Sequence, residues 1–183
     1  KGIVDGAGEL AYKKDIIVVN LSLKAKGITL AKENLSAKLD SDIQAKFDYG
    51  IKTKAFNYSG TAAVSNAQIL GIENIDEVSD INGVFNFDAQ KVSAQNLRAQ
   101  VLGLPIEAKL ALTDYKDPFL EMDITGKFPL TSLKKILQDK FNFSLPLIPQ
   151  GAGNLSLALK LRPASGGLPQ LEGYLDLADA SVE

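Results

Sequence analysis

Apolar side chains recur at every second position through almost the whole chain, and this limits the fold more than any single motif. In the run from Lys91 to Lys127, Ile106, Ala108, Leu110 and Leu112 alternate with Glu107, Lys109, Ala111 and Thr113. The same parity holds for Leu97, Ala99 and Val101, and again for Leu120, Met122 and Ile124. A period of two places successive side chains on opposite faces of a strand, so each segment has one oily and one polar face. The links Gly103-Leu104-Pro105 and Asp114 to Pro118 carry turn-forming residues. Both are too short for a crossover helix, so neighbouring strands must pair antiparallel.

The pattern extends in both directions. Gly2 to Tyr12 and Asp15 to Lys26 read as a hairpin turning at Lys13-Lys14, with Ile17, Val19, Leu21, Leu23 and Ala25 on one face. Gly27 breaks the run. Alternation returns in Leu35, Ala37 and Leu39, then after a turn at Ser41-Asp42 in Ile43, Ala45, Phe47, Tyr49 and Ile51. From Lys52 to Leu70 the chain is rich in strand-favouring residues. Ile75 to Ser79 reads as a polar connector, and Ile81 to Asp88 as strand. Near the C-terminus, Leu155, Leu157, Leu159 and Leu161 share one face, as do Leu175 and Leu177, with Gly166 to Pro169 linking the two strands.

Only one segment departs from this period. Leu133, Ile136 and Leu137 stand three and four apart, which predicts a short amphipathic helix near 132–139, capped by Thr131 or Ser132. Phe143 to Pro149, with two prolines, predicts an extended loop. The fold class is therefore mainly β: about a dozen antiparallel strands and one helix, in a meander that forms a curved sheet, a β-groove or a half-open barrel. The competing architecture is a closed sandwich, which needs the same parity. Residues 1–183 read as a single β-rich domain or as a fragment of a longer repetitive protein. The phrases NLSAKL, NLRAQVL and NLSLAL, starting at Asn34, Asn96 and Asn154, hint at units of about 60 residues.

Composition narrows the function. The chain of 183 residues has no Cys and no His, which removes thiolate chemistry, Cys- or His-ligated metals and every His-based catalytic triad. The expectation is no enzyme, no cofactor and no metal site. Charge is nearly balanced, with 20 Lys plus Arg against 22 Asp plus Glu, and the only arginines are Arg98 and Arg162. This balance gives no electrostatic reason to expect nucleic acid as a partner. The carboxylate clusters at Asp40/Asp42 and at Asp76/Glu77/Asp80 read as turn formers, because neither has the glycine and distal glutamate of a calcium loop. Gly2, Gly6 and Gly8 lack the helix that a phosphate loop requires. Lys52/Lys54 and Lys134/Lys135 read as solvated faces rather than headgroup sites. No run reaches the roughly 18 to 20 apolar residues of a membrane span.

Within residues 81–137, Gly83 to Asp88 (GVFNFD) is followed by Asn96 to Gly103 (NLRAQVLG) and then by alternating strands. This succession, with GNLSLALKL at residues 153–161, resembles the AsmA-like family of bacterial envelope proteins, the β-groove group that includes the TamB and YhdP types. The resemblance implies a noncatalytic periplasmic protein, tethered to the inner membrane by segments outside this one. Its apolar β-groove would bind or conduct phospholipid or another acyl lipid in support of outer-membrane lipid transport or assembly. On that reading the groove is lined by Leu97, Val101, Ile106, Leu110, Leu112, Leu120, Met122, Ile124, Leu155, Leu157, Leu159, Leu161, Leu175 and Leu177. The resemblance also implies envelope proteins as further partners. The alternative is a periplasmic scaffold or protein-interaction domain whose sheet edges pair with a partner strand.

Overall fold

The computed structural model describes residues 2–72, 75–142, 144, 149–162 and 170–182, the side chains at 140–141, 149, 178–180 and 182 excepted. These residues form one antiparallel sheet of ten strands, 80% of the described residues being strand, with a single short helix. The strands are β1 (Ile3–Lys13), β2 (Ile16–Lys32), β3 (Leu35–Gly50), β4 (Phe56–Ile72), β5 (Ile75–Asp88), β6 (Lys91–Val101), β7 (Leu104–Thr113), β8 (Phe119–Pro129), β9 (Pro149–Leu161) and β10 (Gln170–Val182), with α1 (Leu130–Phe141) between β8 and β9. Their order in space is their order in the chain. β1 and β10 are the two edges, so the sheet does not close into a barrel.

Among the described residues no second sheet packs on this one, so they do not form the closed sandwich. The accessible surface is 12522 Å² for 19.6 kDa, whereas a compact protein of that mass exposes about 8,600 Å². Ala67, Ala94, Leu97, Phe128 and Leu130 are the hydrophobic residues buried below a tenth of their surface, and no large side chain is fully buried among the described residues.

Registers place the apolar residues on one face. Gly6, Leu23, Ile43, Ala62, Phe85, Ala94, Leu110, Met122, Leu159 and Leu171 stand opposite one another in turn, one from each strand. A second such row runs from Gly8 through Leu21, Ala45, Gly60, Phe87, Val92, Leu112 and Leu120 to Leu161. The strand glycines Gly6, Gly8, Gly60, Gly83, Gly153 and Gly173 all belong to this face. A β-carbon on each would meet a larger side chain, from Leu23, Leu21, Phe87, Leu97, Leu130 and Leu157 respectively. Large residues thus lean over glycine gaps, which lets the oily side of the sheet contract and curve.

Three of the strands, β2, β3 and β4, run to 16 or 17 residues, beyond the usual length of roughly 3 to 10. They keep one face inward because a line of bulges crosses them. Registers shift between Ala25 and Ile28, Lys38 and Asp40, Val64 and Ala67, Ser79 and Asn82, and Ala94 and Leu97. Gly27, Asn66 and Asp80 have positive φ there, at 60°, 51° and 50°. A bulge bends its strand and resets parity by one residue. Side chains replace the lost ladder bonds: the Gly27 N–H donates to Asp40 Oδ1 at 2.7 Å, the Asn66 N–H to Asn82 Oδ1 at 3.1 Å, and Asn82 Nδ2 to the Asp80 carbonyl at 2.6 Å. The most enclosed central residues, Ser41, Ala67, Ala94 and Leu97, lie along this line on the apolar face. The sheet is therefore a trough whose floor follows the bulges and whose axis runs across the strands.

Several sequence expectations need correction. The described residues form ten strands, against the expected number of about a dozen. The first hairpin turns at Lys14-Asp15, both at positive φ, one residue later than expected. Ser41-Asp42 is no turn but part of β3, and Gly27 bends β2 without ending it. Ile75 to Ser79 is the first part of β5, where Glu77 pairs with Leu70. The predicted loop from Phe143 to Pro149 lies, apart from Ser144 and Pro149, outside the described residues, as does the Gly166 to Pro169 link. The helix begins at Leu130 with Pro129 in the cap position and no side-chain cap bond, so neither Thr131 nor Ser132 serves. Burial of Phe128 and Leu130 to 4% exposure pins the junction instead.

Candidate functional site

Every candidate groove residue falls on the apolar face. Leu97 and Val101 lie on β6, Ile106, Leu110 and Leu112 on β7, Leu120, Met122 and Ile124 on β8, Leu155, Leu157, Leu159 and Leu161 on β9, and Leu175 and Leu177 on β10. The ladders join them into rows, such as Leu97, Ala108, Ile124 and Leu157, or Leu112, Leu120 and Leu161. Most are half-buried by their own neighbours, while Leu175 and Leu177 at the β10 edge remain 42% and 52% exposed.

The site extends beyond these residues. β1 to β5 continue the same face with Leu10, Tyr12, Ile17, Val19, Leu21, Leu23, Ile43, Phe47, Tyr49, Phe85 and Phe87. Their alternation is as visible in the sequence as that of the later strands. Along one rim Phe47, Phe56 and Tyr58 form an aromatic group with ring centroids 6.1 to 6.4 Å apart. Tyr115, from the β7–β8 turn, joins it; its hydroxyl donates to the Asp88 carbonyl at 2.9 Å. Desolvation, then the neighbouring Tyr58 and Asp88, raise the Tyr115 pKa, which keeps the phenol neutral.

At the other rim α1 packs against β8 and β9. The Gly153 α-carbon sits under Leu130, Phe128 and Leu175, whose side chains would each be 3.2 Å from an added β-carbon. A cleft of about 540 Å³ separates Ser132, Lys135, Ile136 and Asp139 of the helix from Asp76, Glu77 and Ser79 of β5 and from the Leu102 to Leu104 turn. The helix thus overhangs the trough from one side.

The opposite face is polar and held by cross-strand pairs. Arg98 Nε lies 3.3 Å from Glu107 and Lys160 Nζ 3.6 Å from Glu121; exposed pairs of this kind contribute at most about 1 kcal/mol each. A depression of about 670 Å³ on this side is bordered by Arg98, Gln100, Glu107, Lys127, Ser156 and Tyr174. A twisted sheet is saddle-shaped, so it is hollow along one diagonal of each face. Here the hollow is open to solvent, and its border mixes these polar side chains with Ala99, Pro105, Ile106 and Leu155.

Among the described residues no three potential metal ligands gather. Three of the five carboxylates singled out in the sequence bind amides: Asp40 takes the Gly27 N–H, Glu77 takes Gln68 Nε2 at 2.7 Å, and Asp80 takes Gln100 Nε2 at 2.8 Å. No helix among them is long and apolar enough to cross a membrane. Comparison with protein-family models, with characterised proteins and with solved structures returns no match.

Proposed function

We propose that this chain binds acyl lipid along the trough and provides a path for its movement across the strands. The observation that carries this reading is an apolar face continuous over all ten strands with no second sheet upon it among the described residues. An acyl chain of about 16 carbons leaving water gains on the order of 13 kcal/mol at roughly 0.8 per CH₂. No headgroup pocket is required for such a driving force, and a lining dominated by Leu, Ile, Val, Ala and aromatic side chains suits an acyl chain at any point along it. The likeness of Gly83 to Asp88 and Asn96 to Gly103 to AsmA-like sequences supports the same reading. It adds phospholipid as the cargo, the periplasm as the location and an inner-membrane tether elsewhere in the protein. Catalysis has no part in the proposal.

Mass spectrometry of organic extracts from the purified chain is the direct test. Co-purifying phospholipid or fatty acid is the expected result, together with uptake of a fluorescent acyl probe competed by phospholipid. A lipid-free protein that takes up no probe would overturn it. The scaffold alternative rests on the two unpaired edges, and those edges have a chemistry of their own.

A further inference from the structure

The polar face obeys a charge rule. Wherever two ionised side chains stand directly opposite each other on neighbouring strands among the described residues, their signs are opposite. Asp5 faces Lys24, Lys24 faces Asp42, Arg98 faces Glu107, Lys109 faces Asp123 and Glu121 faces Lys160. Opposed unlike charges stabilise a ladder and like charges weaken it.

At the edges the rule is left half-fulfilled. β1 carries Asp5 and Glu9 on the polar side, and β10 carries Glu172 and Asp176; each pair is separated by the same interval along its strand. Glu9 faces Asn20, Glu172 faces Ala158 and Asp176 faces Asn154, so none of these three has a cation opposite it on its inner side. On the apolar side both edges stay uncovered: Val4, Leu10 and Tyr12 are 60%, 74% and 62% exposed, and Leu171 is 64% exposed. Neither strand contains the proline that commonly blunts an edge.

We infer that both edges are docking sites for a β-strand that is apolar at alternate positions and carries Lys or Arg four residues apart on its other face. Such a strand completes the outer ladder, satisfies the acidic pair and extends the apolar face. A second copy of this chain is the wrong occupant. Pairing β10 of one molecule with β1 of the next would set Glu172 and Asp176 against Asp5 and Glu9, so the acidic edges also keep copies from adding end to end.

The probe is a fluorescent heptapeptide, Val-Lys-Val-Thr-Val-Lys-Val, a palindrome that offers the same side chains in either direction, with Val-Glu-Val-Thr-Val-Glu-Val as control. Anisotropy titrations with the full chain should show the lysine peptide binding about tenfold more tightly than the control, with a preference that fades as salt is raised. Asp5→Asn with Glu9→Gln should abolish the preference at one edge, and Glu172→Gln with Asp176→Asn at the other; all four together should abolish it entirely. Equal binding of the two peptides, or no binding of either, overturns the inference. Sedimentation gives a second test. Asp5→Lys with Glu9→Lys makes β1 complementary to β10 and should turn a monomeric chain into linear oligomers, with circular dichroism confirming that the sheet is retained. A parent chain that already polymerises at low salt, or a folded variant that stays monomeric, contradicts the proposal.

Discussion

Phe87 lies over Gly60 across the β4–β5 ladder, with its ring tip 2.5 Å from where a β-carbon on Gly60 would stand. The Gln44 carbonyl on β3 closes in from the other side. A methyl group can push a ring aside but not a backbone carbonyl held in a ladder. Gly60→Ala should therefore lower stability by about 2 kcal/mol, within the range for overpacking. Gly126→Ala, whose nearest neighbour would be the Pro105 carbonyl at 3.1 Å, should cost clearly less. Thermal melts of the two variants check the ranking, and equal losses would count against a face packed onto its glycines.

Parity gives a functional test. Leu110 is half-buried on the apolar face between Ala94 and Met122, and Lys109 stands on the polar face opposite Asp123. Leu110→Asp puts a carboxylate in the proposed lipid path, where it must be desolvated or protonated. Lipid uptake should be lost while strand content by circular dichroism is retained, because no second layer seals the site. Lys109→Glu sets like charges opposite each other, at a cost below about 1 kcal/mol, and should leave uptake unchanged. Equal uptake by both variants would remove the trough from consideration.

Ser41 is 6% exposed on the apolar face, and its hydroxyl has no hydrogen-bond partner. A buried unsatisfied hydroxyl costs roughly 1 to 3 kcal/mol. Ser41→Ala should raise stability by about 1 kcal/mol in urea unfolding, contrary to the usual direction for a substitution at an enclosed position.

Asn82 holds two bulges at once, accepting from the Asn66 N–H and donating to the Asp80 carbonyl. Asn82→Ala should destabilise by about 1 to 2 kcal/mol and speed amide exchange at Asn66 relative to the ladder around it. Asn82→Asp keeps the acceptor and loses the donor, so exchange at Asn66 should stay slow.

The sequence made strand and parity legible because alternation is a local signal that nothing in a single-layer sheet overrides. The groove residues from Leu97 to Leu177 share a face for that reason. What escaped was continuity through the bulges. Ala25 and Ile28, Val64 and Ala67, Val78 and Ile81, and Ala94 and Leu97 are each three apart, which breaks a strict period of two. Such breaks read as the end of a run, as at Gly27, or as a connector, as at Ile75 to Ser79. An apolar interval of three around Gly27, Asn66 or Asp80 was the available mark of a bulge within an unbroken strand. The helix was legible from Leu133, Ile136 and Leu137, but its start was not, since it depends on Phe128 and Leu130 packing against β9 rather than on a local cap.

Strand order identical to chain order makes the trough a ruler. Neighbouring strands are about 4.8 Å apart, so one hairpin adds roughly 10 Å to the path and the ten strands span about 43 Å. In a barrel, strand number, tilt and shear are locked together, and a single added hairpin disturbs the whole. Here duplication or loss of one hairpin changes reach while each remaining strand keeps its neighbours, so the distance such a molecule covers can evolve in small steps without a new fold.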